Sequence, residues 1–243
     1  MCPAADWRAH YARGVPTLIL VRHGRTAANA EGVLAGRTRG VGLDDVGLEQ
    51  ARAVADRLSV VPLAFLVSSP LLRTMQTARE IAGAQKGDVA VRREAGLVEC
   101  GYGRWTGKKI ADLAREPLWA TVQQQPSAVV FPGGERLADV SARAVEAVRR
   151  IDRRVERRHG PEAVWAAASH GDVIKAVLAD ALGIHLDQFQ RIAVAPGSVS
   201  VVTYGSHRPT VRHVNDLGSD LSGLAPTAGG DRPTGDAPVG GGA

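Results

Sequence analysis

"TLILVRHGRTAAN", residues 17–29, carries an uninterrupted apolar run into an arginine, a histidine and a glycine. Thr, Leu, Ile, Leu and Val without polar alternation are the composition of a fully buried strand. In open α/β sheets, ligands bind beyond the carboxyl ends of such strands. Arg22 and His23 would then stand on a ligand-facing rim. The competing reading is a strand that simply stops at two solvated loop charges, and the rest of the chain separates the two.

Downstream, strands and helices alternate. Leu48, Ala51, Val54, Ala55 and Leu58 recur at helical spacing after Gly47. "LAFLVSS" (63–69) reads as a second strand, and Pro70 suits the first turn of a helix reaching about Ala82. "VAVRR" (89–93) is a short strand near an edge. Leu137, Val140, Ala144, Val148, Ile151 and Val155 make the apolar stripe of a long helix. "AVWAAAS" (163–169) is another buried strand, feeding a helix that carries Val173, Ile174, Val177, Leu178 and Leu182. "SVSVVTY" (198–204) and "TVRHVN" (210–215), separated by "GSHRP", form a hairpin that closes the sheet. The alternation predicts an α/β fold, a three-layer α/β/α sandwich around a mostly parallel sheet with an antiparallel edge. Residues 1–16 read as a loose extension and 17–217 as one domain. The Gly/Pro-rich stretch 218–243 has too little apolar surface to offset its ordering entropy and reads as a disordered tail.

At 243 residues the chain is long enough to bury one sizeable core. Its 44% hydrophobic share leaves no segment approaching a membrane span. A pI near 9.7 could suggest nucleic acid. The excess of 30 basic over 25 acidic residues is small, however, and much of it lies in "RRIDRRVERRHG" (149–160). Acidic residues are interspersed there, as on the wet face of a helix, and no aromatic-plus-basic platform accompanies it. Cys2 and Cys100 are too few for a disulfide framework or a zinc site. "MCPAADWRAHYARG" at the start lacks the apolar stretch of a signal peptide, so a cytoplasmic protein is expected.

The polar residues at strand ends form one set. Arg22 and His23 follow the first strand, Arg73 lies just past the second, and His170-Gly171 follows "AVWAAAS". Glu99 sits in the glycine-rich "LVECGYGRWTG" (97–107). Two guanidinium forks can hold a phosphate dianion by charge-assisted hydrogen bonds. A helix beginning after Gly171 adds backbone N–H donors. One neutral imidazole can attack phosphorus while the other steadies the transferring oxygens, and the carboxyl group can protonate a leaving alkoxide. Gly24 would let backbone and phosphate approach closely. The arginines supply the positive charge that metals supply elsewhere, so no metal or other cofactor is expected. Each residue alone reads as a surface or capping residue; joint placement carries the phosphate reading.

"LVRHGRTAAN" resembles the signature of the histidine phosphatase superfamily, also called phosphoglycerate-mutase-like. The resemblance continues in order through "GLDDVGLEQA" (42–51), "VSSPLLRTMQTA" (67–78), "LVECGYGRWTG", "FPGGE" (131–135) and "ASHGDVIKAVL" (168–178), and covers about residues 17–215. It implies a covalent phosphohistidine cycle with His23 as nucleophile, Arg22 and Arg73 as phosphate ligands and His170 as the second histidine. Glu99 falls on the acid/base position, and Asn29 on the asparagine of RHG-x-T-x-x-N. Arg22, Asn29, Arg73, His170 and Gly171 make up the implied substrate-binding set. Positive charge beside His23 should keep its imidazole neutral.

Four positions depart from the family's usual pattern. Arg25 stands for Glu or Gln, Asp44 for Thr, Thr74 for Ala, and Arg136 for Ser after PGGE. They bear on substrate, and Arg25 reads as the start of this chain's own preference. Gly107-Lys108 is no P-loop, because its glycine spacing is wrong and Lys109 is neither Ser nor Thr. Trp105, Trp119 and Phe131 read mainly as packing under a cap (about residues 100–136), and Cys100 as a small packed residue. Arg37, Arg39, Lys108 and Lys109 are recognition candidates or solvated surface. Related mutases carry a longer insertion between the Glu and glycine-rich blocks, whereas here residues 108–130 fill the gap. A short cap admits water, which ranks a phosphomonoesterase first, a phosphoglycerate-type mutase second and a non-catalytic phospho-ligand binder third. The expected partner is a small-molecule phosphomonoester, with no nucleic acid and no membrane, and a homodimer is left open.

Overall fold

Alternate side chains of the first strand enter different cores. Leu18 and Leu20 pack with one apolar cluster, Ile19 and Val21 with the other. This period of two places the strand between two helical layers. The structure is a computed structural model that describes residues 14–205 and 208–218. Its elements run β1 (Thr17–Arg22), α1 (Ala27–Ala30), α2 (Asp45–Leu58), β2 (Leu63–Ser68), α3 (Leu72–Gly83), β3 (Val91–Arg93), α4 (Ile110–Leu113), α5 (Pro117–Gln124), α6 (Leu137–His159), β4 (Val164–Ser169), α7 (Gly171–Leu182), β5 (Val199–Tyr204) and β6 (Pro209–Asp216).

The six strands form one sheet in the order β3-β2-β4-β1-β5-β6. Strands β3, β2, β4 and β1 are parallel, while β5 and β6 add the antiparallel side. Val54, Ala55 and Leu58 of α2 and Ile81 of α3 cover one face. The other face takes Val140, Ala144, Val148, Ile151 and Val155 of α6 with Val173, Ile174, Val177 and Leu178 of α7. Each of the larger buried aliphatic side chains contributes roughly 2 kcal/mol. The predicted three-layer sandwich is the fold observed.

The arginine-rich run behaves as the wet face of α6, with Arg149 paired to Asp180 and Arg150 to Glu94. Some boundaries differ from expectation. Pro70 lies outside α3, because Leu71 is extended (ψ 148°) and caps a helix that begins at Leu72. Leu182 is not on the buried stripe of α7; it is 47% exposed, at the turn where Gly183 adopts φ 68° and stops the helix. Strand β3 is only three residues long, since it pairs with β2 alone at the sheet edge. The loose extension expected over 1–16 lies mostly, and the tail over 218–243 almost wholly, outside the described residues, as does part of the β5–β6 connection.

Gly24 has a steric reason of its own. A Cβ there would lie 2.2 Å from the carbonyl oxygen of Gly47, in the first turn of α2. The contact is reciprocal, because a Cβ on Gly47 would lie 1.9 Å from Arg25 O. Two glycines therefore let α2 press directly on the segment that follows β1, and this seats the residues around His23. Gly47→Ala should destabilise the protein by about 2 kcal/mol in urea unfolding, because backbone cannot move aside for a methyl group. Gly83→Ala, where nothing lies within 4 Å, is the control and should be neutral or mildly stabilising.

Candidate active site

Strand register assembles the site. Arg22 pairs with Ser169 across β1 and β4, so the next residues, His23 and His170, emerge side by side. Their rings lie 5.2 Å apart, centroid to centroid, at 64°. Ser68 pairs with Ala168 on the other side of β4. Ser69 is thereby carried to the same end, where its hydroxyl lies 2.7 Å from His170 Nε2. Neighbouring parallel strands thus deliver Arg22, His23, Ser69 and His170 to one rim without any loop having to reach across.

The hydrogen bonds of His23 define its protonation. Nδ1 lies 2.7 Å from Gly24 O, which can only accept, so Nδ1 carries the proton. Nε2 accepts from Arg73 Nε–H at 3.1 Å, so it holds a lone pair. Burial, then the charges of Arg73 and Arg22, hold this imidazole well below the ordinary histidine range. His170 is fully buried and is likewise held well below that range, first by burial and then by Arg73. Sequence reasoning anticipated a neutral His23 from the arginines; burial is the larger cause.

Arg73 reaches the site from the first turn of α3, where its Nη2 donates to Gly36 O at 2.8 Å. Among the described residues, the buried atoms Arg73 Nη1 and His170 Nδ1 have no hydrogen-bond partner. Two unpartnered polar atoms at one rim fit an anion-binding role. Arg22 lies deeper; its Nη1 donates to Val194 O at 2.6 Å, and burial lowers its guanidinium to about 10 against the opposing pull of Glu99 and Asp172. Glu99 Oε1 accepts from Cys100 N at 2.9 Å. Burial and the charge of Asp172 raise its carboxyl to about 7, so near neutrality it can both give and take a proton.

A cleft of about 390 Å³, counting its open mouth, is lined by His23, Asn29, Arg73 and Glu99 together with Thr26, Val33, Leu34, Ala35, Gly36, Tyr102 and Ile110. Four of the anticipated residues therefore line one cleft. Arg22, His170 and Gly171 are buried behind it rather than lining it. Gly171 opens α7, and His170 at its N-cap makes no side-chain cap, so the first amides of that helix are not closed off by the capping side chain. Asn29 commits Oδ1 to Thr26 N and Oγ1, which leaves its amide NH₂ as the donor available to a ligand.

Several anticipated roles change. Arg25 does not line the cleft; its Nε pairs with Asp44 at 2.9 Å, so two departures from the family pattern compensate each other. Asp44 also caps α2 through Gly47 N. Thr74 uses its hydroxyl on Ser69 O and Leu71 O, bracing the turn that presents Ser69. Arg37 donates to Glu99 O at 2.8 Å and pairs with Glu135 at 2.7 Å, which ties down the loop that carries Glu99. Arg143 joins the same tie, donating to Glu99 O and to Glu135. Trp105 packs on Trp119 and Phe131 as expected. Cys100 is buried, with its thiol pushed far up by burial. Nothing in the structure explains Arg136.

Sequence reasoning missed Tyr102 and Asp172, whose buried side chains meet at 2.6 Å from 70 residues apart. It also missed Lys175, buried in α7 against Gln190 and Phe189. The available signal was the aspartate directly after "SHG", an acidic residue in the first turn of a helix at a phosphate-like rim. Among the described residues, no group of three or more His, Cys, Asp or Glu is placed to hold a metal ion, and no helix is long and apolar enough to cross a membrane.

Comparison with known proteins gives consistent results. The family model described as histidine phosphatase superfamily (branch 1) matches residues 18–217. Phosphoserine phosphatase 1 of Hydrogenobacter thermophilus is 31% identical over 206 residues, covering 82% of this chain and 91% of that protein. A 2,3-bisphosphoglycerate-dependent phosphoglycerate mutase of Rhizobium etli is 35% identical over 140 residues, covering 53% of this chain and 64% of that protein. The solved mycobacterial glucosyl-3-phosphoglycerate phosphatase in complex with VO3 superposes with a TM-score of 0.74 at 25% identity, covering 84% of this chain and 99% of that one.

The raised pKa of Glu99 has a consequence for stability. The native state binds this proton more tightly than the unfolded chain, so the associated stability is fully present below pH 4.5 and is lost as pH rises through about 7. Glu99→Gln, isosteric and uncharged, should therefore raise the unfolding free energy at pH 8 by an amount on the order of 3 kcal/mol and change it little at pH 4. Thermal melts of both proteins at the two pH values measure the difference.

Proposed function

The chain belongs to the histidine phosphatase superfamily, and from that membership we propose that it hydrolyses small phosphomonoesters through a phosphohistidine on His23. The observation that carries this reading is the hydrogen-bond pattern of His23, a neutral imidazole with its lone pair on the cleft-side nitrogen. A substrate phosphate takes the Arg73 N–H groups as its own donors and so frees Nε2. Arg22, His170 Nδ1–H, the Asn29 amide and the first amides of α7, opened by Gly171, hold the non-bridging oxygens. Ser69 supports that His170 tautomer by donating its hydroxyl to Nε2.

In the first step the Nε2 lone pair forms a bond to phosphorus, and the bond from phosphorus to the ester oxygen breaks. Glu99, protonated, gives its proton to the departing alkoxide, and the alcohol leaves. Water then attacks the phosphohistidine while Glu99 takes back a proton. The P–N bond breaks, inorganic phosphate is released and His23 returns to its starting tautomer. Throughout, Gly24 O holds the Nδ1 proton and supports the positive charge that N-phosphorylation places on the ring.

A mutase returns the phosphoryl group to a bound intermediate instead, and the Rhizobium etli relative gives that reading some support. The cap favours water. Between Glu99 and Leu137 it consists of short 3₁₀ turns and two helices of four and eight residues, too little to enclose an intermediate.

Hydrolysis of p-nitrophenyl phosphate, unaffected by chelator, is expected, and His23→Ala should lower kcat by about 10³-fold or more. Interconversion of 3- and 2-phosphoglycerate outpacing phosphate release would instead establish the mutase. The pH profile follows from the two shifted groups. For an alkyl phosphomonoester, whose departing alkoxide needs the proton, kcat/KM should fall as pH rises through about 7, when Glu99 loses its proton, and should show no decline near 6.5 from His23. A kcat/KM that collapses on acidification through 6.5 would contradict a neutral, buried His23, whereas kcat itself also needs ionised Glu99 in the water step.

A further inference from the structure

Hydrolysis as proposed makes no use of Tyr102, Asp172 and Lys175, all fully buried. Asp172 stands in the first turn of α7, two residues after His170, and its Oδ2 accepts the Tyr102 hydroxyl at 2.6 Å. Tyr102 follows Glu99 by three residues, and both line the cleft. From these contacts, and resting on the phosphomonoesterase reading, we propose that Asp172 is a positioning residue for the acid step, acting on Glu99 through Tyr102 and through its own negative charge.

The tie is geometric first. Arg37 at 2.8 Å and Arg143 of α6 at 3.2 Å donate to the carbonyl of Glu99, and Gly101 N donates to Glu135 at 2.8 Å. The Tyr102 hydroxyl adds a link to α7, the helix whose N-cap is His170. Phe131, edge-on to the Tyr102 ring at 5.0 Å, fixes the direction of that hydroxyl. The proton donor and the second histidine are thereby referred to one helix end.

Charge is the other half. A carboxylate buried as deeply as Asp172 needs compensation. Tyr102 supplies a hydrogen bond, while Arg22 and Lys175, the latter one turn along α7, supply opposite charge. The titratable and charged groups that face Glu99 are Arg22 of β1, Arg73 of α3, Asp172 and Lys175 of α7, and Cys100 and Tyr102 of its own loop. Arg22 and Arg73 favour a carboxylate at Glu99, whereas Asp172 disfavours a second one beside it. Without the Asp172 charge the arginines are opposed by burial alone, so Glu99 gives up its proton at lower pH.

Phenyl and p-nitrophenyl phosphate test the proposal in the full-length protein. The two esters are alike in shape, but phenoxide is the far more basic leaving group and gains more from a proton. Asp172→Asn keeps an acceptor for Tyr102 and removes the charge. The ratio of kcat/KM for phenyl over p-nitrophenyl phosphate should then fall about tenfold at pH 8, relative to the unaltered protein, and recover at pH 5, where Glu99 is protonated in both proteins. Tyr102→Phe keeps the ring and the charge but cuts the tie, so the ratio should fall several-fold at both pH values. A ratio that Asp172→Asn leaves unchanged at pH 8, or lowers equally at pH 5, overturns the proposal while the phosphomonoesterase reading stands. An unchanged ratio in Tyr102→Phe overturns it as well, and decides alone should Asp172→Asn fail to fold. If the unaltered protein hydrolyses neither ester, the phosphomonoesterase reading fails and the proposal falls with it.

Discussion

The hydrogen bond from Arg73 Nε to His23 Nε2 is the contact on which the site depends. It places a permanent cation against an imidazole nitrogen, which is tolerable only while that nitrogen carries no proton. With Gly24 O holding Nδ1–H, the ring has one tautomer and one charge state available. On the proposed reading the arginine acts twice, as a phosphate ligand and, after burial, as the largest influence keeping the imidazole neutral. Its position follows from Leu71 ending the extended segment one residue before α3, so that Arg73 falls in the first helical turn.

Two buried guanidinium groups would be untenable alone. The fold surrounds them with acceptors and carboxylates: Val194 O and Gly36 O accept directly, while Glu99 and Asp172 offset the charge at longer range. Asp172 has a second effect. After burial, its charge is the next largest cause that keeps the Glu99 carboxyl partly protonated near neutrality, and the Tyr102 hydroxyl donates to Asp172 itself. Arg37, Arg143 and Glu135 brace the same loop from outside through the Glu99 carbonyl. His23, Glu99 and the two arginines are each held by polar contacts of their own, most of them buried.

Much of this was legible in the sequence because the informative residues follow strands buried on both faces. "TLILV" and "AVWAAAS" announce central strands by composition, and once those strands are neighbours in register, His23 and His170 must be neighbours as well. What was not legible depends on pairings between distant residues. Arg25 alone read as a change of pocket charge; only the fold shows that Asp44, also a departure, neutralises it. Tyr102 and Asp172 looked like a loop aromatic and a helix-start acid until the fold joined them. The cap helices α4 and α5 escaped because their short, mixed sequences have too few turns for a period to emerge. For Gly24 the sequence suggests only ligand approach, and the fold adds a steric reason, the backbone of Gly47.

The central claim is that His23 carries the phosphoryl group, and trapping the intermediate addresses it most directly. Rapid quenching into alkali during turnover of a phosphomonoester, followed by peptide mass spectrometry, should find one phosphoryl group on the peptide containing His23. The modification should be stable to base and lost on brief acid treatment. Glu99→Gln, which slows the water step, should retain the group when the substrate is an aryl phosphate whose alcohol leaves without help. Steady turnover with no phosphorylated peptide in either protein, or with the label on another residue, would contradict the account.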